Sequence, residues 1–279
     1  MFVACRDALL KAPIFESLDQ GLDELKVKSL EMAIDRQLLT GLGVNISEKR
    51  ERAKLARSLR EKGISICAIL LDNDFIREDV KGEIDYVLKT CEAAVDLGVK
   101  VARINALMRE APGFTLEKYI ERAASSIKAC NRSLAELGVS LAVENHGVIA
   151  NRREFLQGLL KEVGSENLGL TLDTGNFYWF GYPIQEVYDI IREFAGHVKH
   201  THIKNATTER KNERRKPREI VMAPLYEGDL NLKLVVNTLK RAGYDHDLTI
   251  EDESLGRFSP EERRKILKKD ADFLRSLLG

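Results

Sequence analysis

A helical pattern that runs into glycine and then into an apolar strand recurs at Lys62-Gly63, Leu97-Gly98, Leu137-Gly138 and Ala242-Gly243. Glycine is the residue that most readily takes the left-handed turn closing a helix. Its repeated use points to one helix–strand unit laid down in series. Strand-like runs occupy residues 2–5, 28–35, 64–71, 99–105, 139–143, 168–172, 197–203 and 247–250. In the second, Leu30, Met32 and Ile34 alternate with Glu31, Ala33 and Asp35, which is strand periodicity. The third is almost continuously apolar, as a strand buried on both faces requires. Helical patterns fill the intervals, with Ser17, Ser47, Thr115 and Ser259 placed as N-caps. Eight alternations within 279 residues predict an α/β chain folded as one (β/α)8 barrel over 1–279. An open doubly wound sheet is disfavoured, since no G-x-G-x-x-G or Walker A sequence is present.

In such a barrel the side chains at the C-terminal strand ends build the site, and alternation selects those that point inward. Glu144 and His146 follow the run 139–143, and Asp173 follows 168–172. His200, His202 and Lys204 alternate with Thr201 and Ile203, and Glu251 and Glu253 continue the inward face of 247–250. Four successive strands thus converge on Glu144, Asp173, His202 and Glu251. Three carboxylates crowd one cavity only around a cation. An oxygen-rich set with one imidazole suits Mn²⁺ first, then Mg²⁺, Co²⁺ or Zn²⁺.

Other inward residues carry two readings each. Arg103 invites an anionic or hydroxylated ligand, with Glu31 as its structural partner in the alternative. His146 touches substrate or orients a ligand. Asn176 bonds a sugar hydroxyl or caps the turn after Gly175. Lys204 binds a substrate oxygen or pairs with a nearby acid. Phe177, Tyr178 and Trp179 wall a site or pack beneath a loop. The basic run Arg210, Lys211, Arg214, Arg215, Lys216 and Arg218 reads as a solvated or mobile loop, diluted by Glu209 and Glu213, with a lid that recruits a phosphate or a nucleic-acid backbone as the less favoured reading.

The totals narrow the function classes. Lys plus Arg and Asp plus Glu are both 44, so the formal charge is zero. That argues against nucleic acid or a membrane surface as the main partner. Cysteines at 5, 67, 91 and 130 form no C-x-x-C pair and fit a reducing compartment. The opening MFVACRDALLK lacks the pattern of a secretory leader, and no apolar run approaches the ~20 residues of a membrane span. The expectation is a cytoplasmic protein with a small-molecule substrate, and barrels of this kind often form homo-oligomers.

The motifs LAVENHG, LTLDTGN, HTHIKN and LTIEDE, in this order and spacing, resemble those of the xylose isomerase-like TIM-barrel superfamily. They are most similar to its sugar (phosphate) isomerase/epimerase group, related to tagatose 3-epimerase, hydroxypyruvate isomerase and inosose dehydratase. The resemblance implies that Glu144, Asp173, His202 and Glu251 bind one divalent ion, with Glu144 and Glu251 doubling as acid/base groups. The implied reaction is proton transfer next to a sugar carbonyl through a metal-stabilised enediolate. Expulsion of a β-hydroxyl, as in an inosose-type dehydratase, is the neighbouring alternative. Endonuclease IV-like apurinic-site nucleases share the barrel but need histidines from early strands. All five histidines here (146, 197, 200, 202 and 246) come after residue 145. The nucleases also place a histidine three residues beyond the sixth-strand aspartate, where this chain has Asn176. A sugar-binding barrel without activity is the third reading, disfavoured by the intact ligand set.

Overall fold

The computed structural model describes residues 1–279. Its barrel strands are β1 (Phe2–Arg6), β2 (Ser29–Ile34), β3 (Ser65–Leu71), β4 (Val101–Ile104), β5 (Ser140–Glu144), β6 (Leu168–Asp173), β7 (Val198–Ile203) and β10 (Asp247–Ile250). These eight close in the order β1-β10-β7-β6-β5-β4-β3-β2. Between β7 and β10, β8 (Asn205–Thr207) and β9 (Val221–Ala223) form a separate antiparallel pair. The four helix–glycine junctions turn as the sequence predicts: Gly63, Gly98, Gly138 and Gly243 all have φ between 65° and 87°. No helix is long and apolar enough to cross a membrane.

The chain resolves into two compact units, Met1–Glu31 with Leu172–Gly279, and Met32–Thr171. In the first unit β1 lies in parallel register with β10, from Phe2↔Asp247 to Cys5↔Ile250, and with β2 through Arg6↔Glu31. β10 pairs with β7 through Thr249↔His202. Helix Leu18–Leu25 is capped by Ser17, whose hydroxyl accepts from Gln20 N. Helix Pro260–Ser276 starts with a full capping box, Ser259 with Glu262, and a proline in its first turn. The two helices are tied by the Arg264–Glu24 ion pair and by Arg275 Nη1 donating to Leu25 O at 2.7 Å.

In the second unit β3, β4, β5 and β6 are consecutive neighbours, with Leu70↔Arg103, Arg103↔Ala142 and Glu144↔Thr171 in register. Their side chains are largely buried, as expected of a parallel sheet covered by helices. Asn73 ties the ends of β3 and β4: its Nδ2 donates to Asn105 O at 2.8 Å, and its Oδ1 accepts from Asn105 N at 3.0 Å. Thr115 caps helix Leu116–Glu136 as expected. Ser47 does not cap the next-but-one helix back. Helix Lys49–Glu61 begins after Glu48 with no side-chain cap, so Ser47 lies one residue before the capping position, and its hydroxyl donates to Asn45 Oδ1 at 2.7 Å.

Candidate active site

Within the first unit, β6 ends on Asp173, His202 is the penultimate residue of β7 and Glu251 directly follows β10, all three buried. Asp173 is oriented by the turn that follows it. Gly175 N and Asn176 N each donate to its Oδ1 at 2.9 Å, at the start of helix Asn176–Phe180. Its Oδ2 lies 2.9 Å from Lys204 Nζ. The ends of β6 and β7 are locked reciprocally. Thr174 Oγ1 donates to Lys204 O at 2.7 Å and accepts from Lys204 N at 2.9 Å, and Thr174 N donates to His202 O at 3.0 Å. Glu251 N donates to Ile203 O at 3.2 Å, which fixes the β10 end against β7.

His202 lies between two carboxylates, with Nδ1 2.8 Å from Glu251 Oε2 and Nε2 2.7 Å from Glu31 Oε1. Burial opposes charge on this imidazole, but Glu251 and Glu31 outweigh it and lift its pKa to about 9. Burial alone would raise the Glu251 carboxyl, yet His202, Lys204 and Arg6 hold it well below the usual range. Lys204 is opposed by burial as well, and Asp173, Glu251 and Glu253 together push its pKa above that of an ordinary lysine. Asp173 goes the other way: burial raises its pKa against the pull of Lys204.

These donors suit a cation. Lys204 Nζ stands 2.9 Å from Asp173 Oδ2 and 3.2 Å from Glu251 Oε2, so the two buried oxygens already converge on one positive charge. His202 Nδ1 points to that same Glu251 oxygen. Two carboxylate oxygens and an imidazole nitrogen form a hard, mixed donor set that a divalent ion accepts.

In the second unit Glu144 is the last residue of β5 and is buried. Arg103, buried on β4, donates to Glu144 Oε2, and its Nη1 donates to Leu71 O at 3.0 Å. His146 is partly exposed, its Nδ1 3.3 Å from Arg103 Nη2 and 3.6 Å from Glu144 Oε2. Glu144, Arg103 and His146 therefore form one polar cluster.

Some expected pairings change. The partners of Glu31 are Arg6, at 3.2 Å, and the two imidazoles His200 and His202, while Arg103 turns to Glu144. β1 and β2 are hydrogen-bonded neighbours with Arg6 opposite Glu31, which brings a guanidinium to this acid from the adjacent strand. Arg6 also donates to Glu251, so it spans two acids of the cluster. Sequence reasoning did not select Arg6, because β1 is short and weakly patterned. Asp247 was missed too: it faces His200 Nδ1 at 2.9 Å and accepts from Thr249 Oγ1 at 2.8 Å. Lys204 sits among acids, consistent with the pairing reading, and Asn176 sits at a helix start with its backbone on Asp173. His197 and His246 are exposed and precede β7 and β10, at the opposite strand ends from His202.

The basic run is exposed except at Arg215, as a solvated loop predicts, and it is also anchored. The Arg214 guanidinium lies 3.9 Å from the Tyr182 ring centre, that of Arg215 4.3 Å from Tyr178, and that of Arg218 5.8 Å from Trp179. Arg215 is buried, and its Nη2 donates to Tyr182 O at 2.9 Å. Backbone bonds from Arg215 N to Gly181 O and from Arg218 N to Trp179 O complete the attachment. Phe177 and Tyr178 are fully buried and pack beneath this loop region rather than lining an open site.

The model of the xylose isomerase-like TIM barrel family matches residues 22–277. An uncharacterized protein of Methanocaldococcus jannaschii is 28% identical over 126 residues, 43% of this chain, and the chain spans only 39% of that protein's length. Three solved structures share the fold over nearly all of both chains. The IolI protein with a binding zinc atom has 19% identity, TM-score 0.73 and coverage of 98% of each chain. L-ribulose 3-epimerase has 18% identity and TM-score 0.71, covering 100% of this chain and 95% of its own. Mannonate dehydratase from Streptococcus suis has 13% identity and TM-score 0.73, covering 99% and 93%. The strand order, the acidic strand ends and the extent of the family match lead to one assignment: the chain belongs to the xylose isomerase-like TIM barrel family.

Proposed function

We propose that this protein is a divalent-metal-dependent sugar or keto-sugar isomerase or epimerase. Glu144, Asp173, His202 and Glu251 are the ligands of one ion in this reading, each offering one atom. Manganese is the first choice and zinc, the metal recorded with IolI, an alternative. The observation that carries the reading is the convergence of Asp173 Oδ2 and Glu251 Oε2 on one positive charge, beside the His202 Nδ1 atom.

A divalent ion at this point would stabilise the negative charge that builds on a carbonyl oxygen as the neighbouring C–H bond breaks. Glu251 takes that proton, and Glu144 returns it or exchanges roles with it. His202, Lys204 and Arg6 keep Glu251 anionic, Arg6 also pairs with it directly, and Arg103 holds Glu144 in place. His146, partly exposed, and Asn176 are the hydroxyl-binding groups. Arg103 and Lys204 set the charge around the substrate oxygens.

The test is solvent-deuterium exchange with added Mn²⁺ over a panel of ketoses, keto-acids and inososes, with metal analysis alongside. One ion per chain and deuterium entering carbon next to a carbonyl support the proposal. Loss of water from an exchanging substrate would move the assignment to a dehydratase. Three ions per chain with cleavage of abasic DNA would replace it by the nuclease.

A further inference from the structure

His200 and His202 project from alternate positions of β7, their rings edge-on with centres 5.2 Å apart. Their Nε2 atoms meet at one oxygen, Glu31 Oε1, at 2.9 Å and 2.7 Å. A carboxylate oxygen accepts but does not donate, so both nitrogens carry hydrogen. The other Glu31 oxygen lies 3.2 Å from Arg6 Nε, and Arg6 continues to Glu251. His200 is held from its far side by Asp247, 2.9 Å from Nδ1.

Glu31, His200 and His202 also have the residue types of a second metal site. The arrangement argues against that use. An ion there would have to displace hydrogen from both Nε2 atoms, where the proposed site asks it of one ring nitrogen, and would break both imidazole contacts to Glu31. The same contacts suit an orienting clamp, in which a carboxylate fixes the tautomer and ring plane of a ligating histidine.

We infer that Glu31 is a positioning residue. It accepts the Nε2 hydrogen of His202, which turns Nδ1 to Glu251 and the cation-binding point, where an ion would displace the Nδ1 hydrogen, with His200, Asp247 and Arg6 holding Glu31 in turn. This rests on the proposed role of His202 as a metal ligand. It adds that the chain binds one ion rather than two, and that affinity depends on a residue which never touches the metal.

Calorimetric titration with Mn²⁺ should give one ion per chain for the unaltered protein. Glu31→Met removes the acceptor and should weaken binding about 10–100-fold. Glu31→Gln keeps an acceptor oxygen and should recover most of that loss. In ¹⁵N-labelled protein loaded with diamagnetic Zn²⁺, the His202 side chain should show an N–H signal from Nε2 and none from Nδ1. This needs no variant and decides the matter even where Glu31→Met fails to fold. Two ions per chain, wild-type affinity in Glu31→Met, or an Nδ1–H signal would overturn the inference while leaving the metal site standing. No binding by the unaltered protein would instead remove the proposed function beneath it.

Discussion

Lys204 Nζ lies 2.9 Å from Asp173 Oδ2 and also meets Glu253 Oε1 at 2.7 Å, so one ammonium spans a buried and a half-exposed acid. Its contact with Glu251 at 3.2 Å adds a second buried carboxylate. Replacing this lysine takes the ammonium partner from Asp173, a fully buried carboxylate. Lys204→Met should therefore cost about 3–5 kcal/mol of stability, the range for breaking a buried pair. Urea denaturation in EDTA measures this directly. Added Mn²⁺ should restore part of the loss, since an ion that binds only the folded chain stabilises it by mass action. An unshifted midpoint would mean that the lysine is not an essential counter-charge.

Glu251 carries the proposed proton transfer and is held anionic by His202, Lys204 and Arg6. Glu251→Gln keeps the shape but cannot accept a proton. Deuterium exchange into a responsive substrate should fall by about 10²–10⁴-fold, the usual worth of a positioned general base. Circular dichroism should stay at its wild-type value. Exchange at the wild-type rate would exclude Glu251 as the base.

Asp270, in helix Pro260–Ser276, accepts from Leu225 N at 2.9 Å. Burial, and then the Asp252 carboxylate, raise its pKa to about 9. The unfolded value is about 3.9. Between about pH 4 and pH 9 the folded chain holds a proton that the unfolded chain has lost, so stability from this group is full at the acid end and declines as pH rises. Asp270→Asn keeps the acceptor for Leu225 N and needs no proton. Its melting temperature should exceed wild type at about pH 8 and approach it near pH 4, at about 2–4 °C per kcal/mol. A pH-independent difference would contradict a protonated Asp270.

Gly181 has φ of 110°, and a β-carbon there would stand 2.1 Å from Arg215 O. Arg215 N also donates to Gly181 O at 2.8 Å, so helix end and loop meet backbone to backbone. Gly181→Ala should destabilise the protein by about 1–3 kcal/mol through its backbone conformation and loosen the 209–218 segment. Faster tryptic cleavage at Arg214 or Arg218 is the expected result. Unchanged cleavage would show that the loop is held by its arginine–aromatic contacts alone.

The barrel could be read from the chain because its signals are local. Period-two alternation placed His202 two residues from His200 and turned Asp173 and Glu251 inward, and glycine marked the helix ends. What was missed depends on neighbours remote in sequence. Arg6 becomes significant only once β1 lies beside β2 and brings it opposite Glu31. β8 and β9 have three residues each, too few for a periodic signal, and the loop between them looked solvated because charge was its only visible property. Its ring partners, Tyr178, Trp179 and Tyr182, lie upstream of β7. Ser47 had the composition of a cap, but the helix starts one residue later, after Glu48, a shift that residue type alone does not reveal.

The pairing of β1 with β10 also has a kinetic side. On one side, residues Phe2–Cys5 pair in register with Asp247–Ile250, near the other end of the chain. Contacts of such wide sequence separation form late and slow folding, because the intervening chain must be ordered before they are rewarded. Until β10 arrives, one edge of β1 stays open to any other strand, including one from a second molecule. Refolding yield should therefore depend on protein concentration far more steeply than the stability of the finished barrel does.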